Sequence, residues 1–227
     1  MNIVDDMFYE GSIHLIAGPT GAGKTRWLLE ALQEWEQSLP VLGCASHPCP
    51  WIYVSADRQQ SEVDRTIKSL GLTMKVPTML AFGVMPPIGA MGILEKAEQR
   101  GAELIVWEGF GKYVEGNARS VEVSRWLNWM TWRLSHKQDG TPRGAPLTII
   151  GVMEEPKMKP RDKYPNPRQR VSGPAAWGHC CDTIIVIEPE NEKKPTDPRR
   201  HMYVCNHSGA PMEFKATLAT GHFRVIP

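Results

Sequence analysis

The eight residues "GPTGAGKT" (18–25) constrain this chain more than any other stretch. They follow an apolar, β-prone run, "IHLIA" (13–17), and open an amphipathic pattern that predicts a helix over 24–38. Gly18, Gly21 and Gly23 allow a tight turn whose backbone N–H groups all face one side. The positive end of the following helix adds to that field, so strand, turn and helix together make an anion site. The spacing G-x-x-x-x-G-K-[ST] fits the phosphates of a nucleotide: Gly18, Pro19, Thr20, Gly21, Ala22, Gly23, Lys24, Thr25 and Arg26 form the expected binding segment. Lys24 would reach the β and γ phosphates, and Thr25 would ligate Mg²⁺.

Such a loop needs a sheet behind it. Short apolar runs at 51–55, 104–107, 147–152, 183–187 and 202–205 read as further strands, alternating with helical patterns at 60–70, 90–100 and 120–135. Near-continuous apolarity implies strands covered on both faces. Strand–helix alternation implies an α/β fold with a mostly parallel twisted sheet flanked by helices. The segment 202–226 has β character throughout and predicts antiparallel strands at one edge. A length of 227 residues suits one domain over 1–227, and neither the breaks at 83–92 nor those at 139–146 separate self-sufficient halves. In "SRWLNWMTWRL", Trp126, Trp129 and Trp132 recur every three residues, which predicts a helix face packed on the sheet.

Composition excludes some classes. The net charge is +1, so any nucleic-acid affinity must come from local patches. No apolar run approaches the ~18 residues of a membrane span, and the amino end is acidic where a signal peptide would be basic, so a cytoplasmic protein is expected. The five cysteines are odd in number and lack C-x-x-C spacing. Cys44, His47 and Cys49 lie close together, but a zinc site would need further ligands, and reduced thiols are the expectation.

The loop alone does not settle the chemistry, because small-molecule kinases share it. "ELIVWEGF" (103–110) ends a buried strand in Glu108, where a carboxylate could organise the metal together with Thr25. With this motif order the chain resembles the RecA/DnaB-like branch of P-loop ATPases, most closely the RepA-like hexameric helicase core and AAA_25-type phage or plasmid ATPases. The resemblance covers nearly the whole chain and implies a RecA-like P-loop NTPase fold that hydrolyses ATP with Mg²⁺.

It also implies roles for particular residues. In "WIYVSADRQQSEV", Asp57 stands where the family carries the Glu that polarises the attacking water. It is one methylene shorter. In "TIIGVMEEPK", Glu154 occupies the place of the polar γ-phosphate sensor, and shares with Asp57 the candidacy for base. The family's K-x-R-x-G strand supplies cationic fingers to a neighbouring subunit, whereas "VCNHSGAP" puts Cys205 and His207 there. A neutral His does not reproduce the fixed charge of an Arg.

After the sensor strand, "PKMKPRDKYPNPRQR" (156–170) carries Lys157, Lys159, Arg161, Lys163, Arg168 and Arg170. In RecA-like ATPases this place belongs to a loop that grips single-stranded DNA. The cations would pair with phosphates, Tyr164 could stack on a base, and Arg168 or Arg170 could replace the absent finger. The implied partners are single-stranded DNA, further copies of the chain in a homo-oligomer such as a hexameric ring, and a replication or recombination protein. No membrane partner is expected. The chain opens almost at the phosphate-loop strand, so no separate primase-contacting domain is expected. Two readings follow: a DNA helicase, translocase or recombination accessory ATPase, or a nucleotide-dependent switch with slow hydrolysis and a protein partner. A small-molecule phosphotransferase is weaker, since no distinct lid is visible.

Overall fold

The computed structural model of the chain describes residues 2–55, 58–74, 79–81, 87–113, 120–154, 166–171, 176–191, 194, 196–207, 211–219 and 222–226. Its centre is a nine-stranded sheet in the order β11-β10-β9-β8-β3-β7-β6-β4-β5. The phosphate-loop strand β3 (Ile13–Gly18) lies in the middle, between β7 (Thr148–Glu154) and β8 (Thr183–Pro189). Beyond β7 come β6 (Leu104–Glu108), β4 (Trp51–Ser55) and β5 (Met79–Ala81), all parallel. On the other side β9 (Arg199–Asn206), β10 (Met212–Ala219) and β11 (His222–Ile226) are antiparallel, as their β character led one to expect.

Strand periodicity divides the core in two. Ile16 of β3 and Leu104 and Val106 of β6 face one layer, with Trp27, Leu28, Leu32 and Trp35 of α1 (Lys24–Glu36) and Val63 and Ile67 of α2 (Gln60–Ser69). Ile13, Leu15 and Ala17 of β3 and Ile105 and Trp107 of β6 face the other. There they meet Ile93 and Leu94 of α3 (Pro87–Gln99), Leu127 and Met130 of α4 (Ser120–Ser135), and Trp177 of α6 (Ala176–Cys180). Burial on both faces explains why the central strands read as unbroken apolar runs. Among the described residues no helix is long and apolar enough to cross a membrane.

The tryptophan triplet departs from expectation. Trp126 is in the core, Trp129 is only partly buried, and Trp132 is exposed, its ring stacked 4.7 Å from that of His136. A three-residue step falls behind the helix's 3.6-residue turn, so the third ring has rotated off the buried face. A small two-stranded sheet, β1 (Asn2–Val4) with β2 (Phe8–Tyr9), was not foreseen from strands so short. It closes the α1 layer with Ile3, Val4, Met7 and Phe8. Buried His14 of β3 holds it, with Nε2 within 3.0 Å of Tyr9 N and 2.9 Å of Tyr9 O.

Candidate nucleotide site

At the carboxyl end of β3 the chain turns on three glycines. Gly18 has φ 154°, and a Cβ there would lie 2.0 Å from the carbonyl oxygen of Ile187 on β8, so only Gly fits. Gly21 (φ 75°) and Gly23 (φ 101°, the N-cap of α1) supply the left-handed turns that bring successive N–H groups to one side. Lys24 is buried in the first turn of α1, and its Nζ donates to Gly18 O (2.8 Å) and Pro19 O (3.0 Å). An anion seated on the loop would compete for that ammonium. Thr20 is exposed, Pro19 and Arg26 are half-buried, and Ala22 is buried.

Two strands away, Glu108 ends β6 and is buried. Thr25 Oγ1 donates to its Oε1 at 2.5 Å, so residues 83 positions apart in the chain meet. Among the described residues the other oxygen, Oε2, is buried with no hydrogen bond of ordinary geometry, and Arg58 Nε approaches it at 4.0 Å. Arg58 is anchored at its base by its own N–H, which donates to Ser55 Oγ (3.0 Å), while its side chain is 40% exposed. Tyr53 of β4 stands beside the same carboxylate. Burial first, and then the Glu108 charge, push its phenol well above the usual range, so it remains a neutral hydroxyl. A hydroxyl, a carboxylate and an adjacent N–H nest are the hard oxygen ligands that Mg²⁺ requires and the hydrogen-bond donors that a phosphate requires.

β7 lies between the loop strand and the Glu108 strand. Its register sets Glu154 opposite Gly18 and Val152 opposite Glu108, so the backbone of Glu154 ends the strand beside the loop. Its side chain lies outside the described residues, as do Asp57, Lys157, Lys159, Arg161 and Lys163 and the side chain of Arg170.

Arg168, expected among the phosphate-binding cations or as a finger, requires correction. It sits in the short helix α5 (Pro167–Arg170), and its guanidinium donates to the carbonyls of Gly178 (2.6 Å), Asp182 (3.2 Å), Cys205 (2.9 Å) and Cys181, with His207 Nε2 at 3.4 Å. These five partners use all five of its N–H groups. Arg168 therefore ties α5 to α6, β8 and β9, and has no donor left for a phosphate. At the finger positions, Cys205 is buried and the exposed His207 is turned toward Arg168.

Arg200 was missed from sequence. It is buried on β9 and donates from Nε to Ala22 O (3.2 Å), with Gly21 O at 3.5 Å, bracing the back of the phosphate loop. The hairpin β10–β11 braces it too: Leu218 and Phe223 lie 3.2 Å from where a Cβ on Gly23 would be. Glu30 of α1 bonds His222 Nδ1 (2.9 Å) and accepts from the Phe223 N–H (3.0 Å). Alternation along β9 puts Arg200 on the buried face with Met202 and Val204, but its partner Ala22 depends on the antiparallel register, which the sequence does not mark.

A strand-turn-helix phosphate loop in mid-sheet, with an extra strand before its acidic partner, defines a RecA-like P-loop ATPase. The sequence profile of AAA_25, an AAA domain, matches residues 2–142, more than half of the 227, and the chain belongs to that family. No curated protein matches the sequence. Among solved structures, a KaiC-like protein from the hyperthermophilic archaeon Pyrococcus horikoshii OT3 is similar, with a TM-score of 0.62 at 13% identity. The likeness covers 99% of this chain and 94% of that one, and shows the shared fold.

Proposed function

We propose that the chain binds Mg-ATP on the loop 18–25, hydrolyses it, and couples turnover to nucleic acid as a helicase, translocase or recombination accessory ATPase. The observation that carries the ATP chemistry is the contact of Thr25 Oγ1 with the buried carboxylate of Glu108 at the end of β6. In this reading the loop N–H groups and Lys24 hold the phosphates, while Thr25 and Glu108 hold Mg²⁺, which neutralises phosphate charge when bound. Asp57 or Glu154 orients the attacking water; the register of Glu154 with Gly18 supports its nearness to the phosphates.

The nucleic-acid role rests on the basic stretch that follows β7 directly. Lys157, Lys159, Arg161, Lys163 and Arg170 are its proposed phosphate contacts, with Arg168 removed from the set. Five contacts to single-stranded DNA would give a log–log salt slope of about −3.5. The test is ATPase activity with and without single-stranded DNA, alongside native mass in Mg-ATP. DNA-stimulated turnover by an oligomer is expected; a monomer with neither stimulation nor DNA affinity would overturn the reading.

A second reading is favoured by one observation. Cys205 and His207 present no fixed cation for a neighbour's nucleotide. A slow nucleotide-timed switch that docks a protein partner would tolerate that loss. Tight ATP binding with very slow turnover, indifferent to any nucleic acid, would select it.

A further inference from the structure

Arg58 is held close to Glu108 without being locked to it. Its N–H is pinned by Ser55 Oγ at 3.0 Å, so the origin of the side chain is fixed. The side chain is 40% exposed, and Nε is 4.0 Å from Glu108 Oε2, an ion-pair distance beyond hydrogen-bond range. Two other cations at the loop are held by its carbonyls: Lys24 donates to Gly18 O and Pro19 O, and Arg200 lies buried behind the loop against Ala22 O.

A divalent cation held by Thr25 and Glu108 would bring positive charge to the oxygen that Arg58 now faces. Like charges at this distance repel, and the carboxylate's negative charge would be neutralised. A nucleotide on the loop simultaneously brings negative phosphates to the same mouth. The guanidinium loses one partner as another arrives, and it can reorient because solvent covers much of it.

We propose that Arg58 is the site's own cation, which rests on Glu108 and moves to the terminal phosphate of the nucleotide held by the same chain. It would stabilise charge on the transferring phosphoryl group in cis. The proposal rests on the ATP reading above.

The test compares Arg58→Ala and Arg58→Lys with the unaltered protein, using ADP and ADP–fluoroaluminate as probes, both with Mg²⁺. Arg58→Ala should bind ADP as the unaltered protein does, because the loop and Lys24 are intact. It should lose most of the extra tightness toward ADP–fluoroaluminate, with turnover falling at least ~100-fold, below the 10³–10⁵ range known for such cations. Arg58→Lys should recover part of both. Mixing Arg58→Ala subunits with Lys24→Ala subunits should leave turnover low, since each site would lack a group of its own. Unchanged fluoroaluminate discrimination in Arg58→Ala, or turnover restored by mixing, would overturn the proposal. Failure of the unaltered protein to bind ADP or ATP at all would instead remove the ATP reading on which it rests.

Discussion

Lys24 illustrates how one side chain ties loop shape to ligand affinity. Its ammonium satisfies two carbonyls of the loop that it serves, so Lys24→Ala removes both a phosphate partner and an internal brace. Saturating Mg-ATP at about 100 times its Kd would stabilise the unaltered protein by about 2.7 kcal/mol, and thermal melts of Lys24→Ala should show no such gain. Glu108→Gln preserves shape but removes the charge that faces Arg58. Nucleotide titrations with and without Mg²⁺ should show the metal-dependent tightening lost while metal-free binding persists. Gly18 and Glu108 were legible from sequence because loop chemistry is written in adjacent residues and a strand end. Arg58, Tyr53 and Arg200 were not, because their partners come from strands distant in the chain.

Elements carry the next set of consequences. β7 packs tightly where Gly151 faces the turn after β6: a Cβ there would lie 2.6 Å from Phe110 Cδ1 and 3.0 Å from its Cβ. Gly151→Ala should force Phe110 aside at a cost of about 1–3 kcal/mol in urea unfolding, and disturb Glu108 two residues earlier. At the amino end, burial lowers the His14 pKa from 6.5 to about 4. Between those values the unfolded chain binds the proton more readily. Stability is therefore full above pH 6.5 and falls as pH drops toward 4, by about 2 kcal/mol from pH 7 to pH 5. Urea midpoints across that range should flatten in His14→Gln. Helix α4 shows why periodicity misled for Trp132: three-residue spacing imitates a stripe over two turns and leaves it by the third.

For the whole molecule, the parallel half of the sheet was readable because burial on both faces writes itself as unbroken apolar runs. The order of strands was not, since it depends on which crossovers the chain takes, and β7 entering between β3 and β6 leaves no local mark. The family profile ends at residue 142, before β7, so β7, the basic stretch and the antiparallel strands lie outside the matched span. Charge removal at Lys157, Lys159, Arg161 and Lys163 should weaken single-stranded DNA binding and reduce its salt slope by about 0.7 per cation, while ADP affinity stays unchanged.

The packing of Leu218 and Phe223 against Gly23, and of Arg200 against Ala22, also fixes when the site can come into being. Residues 18–25 leave the ribosome early, but their supports arrive some 200 residues later. A nascent chain would thus pass most of its synthesis with its nucleotide loop unbraced, and gain affinity only as the final hairpin closes on α1. Chains arrested on the ribosome before and after residue 223 has emerged should differ in retention on immobilised ATP; equal retention would show that the loop matures without its late-made supports.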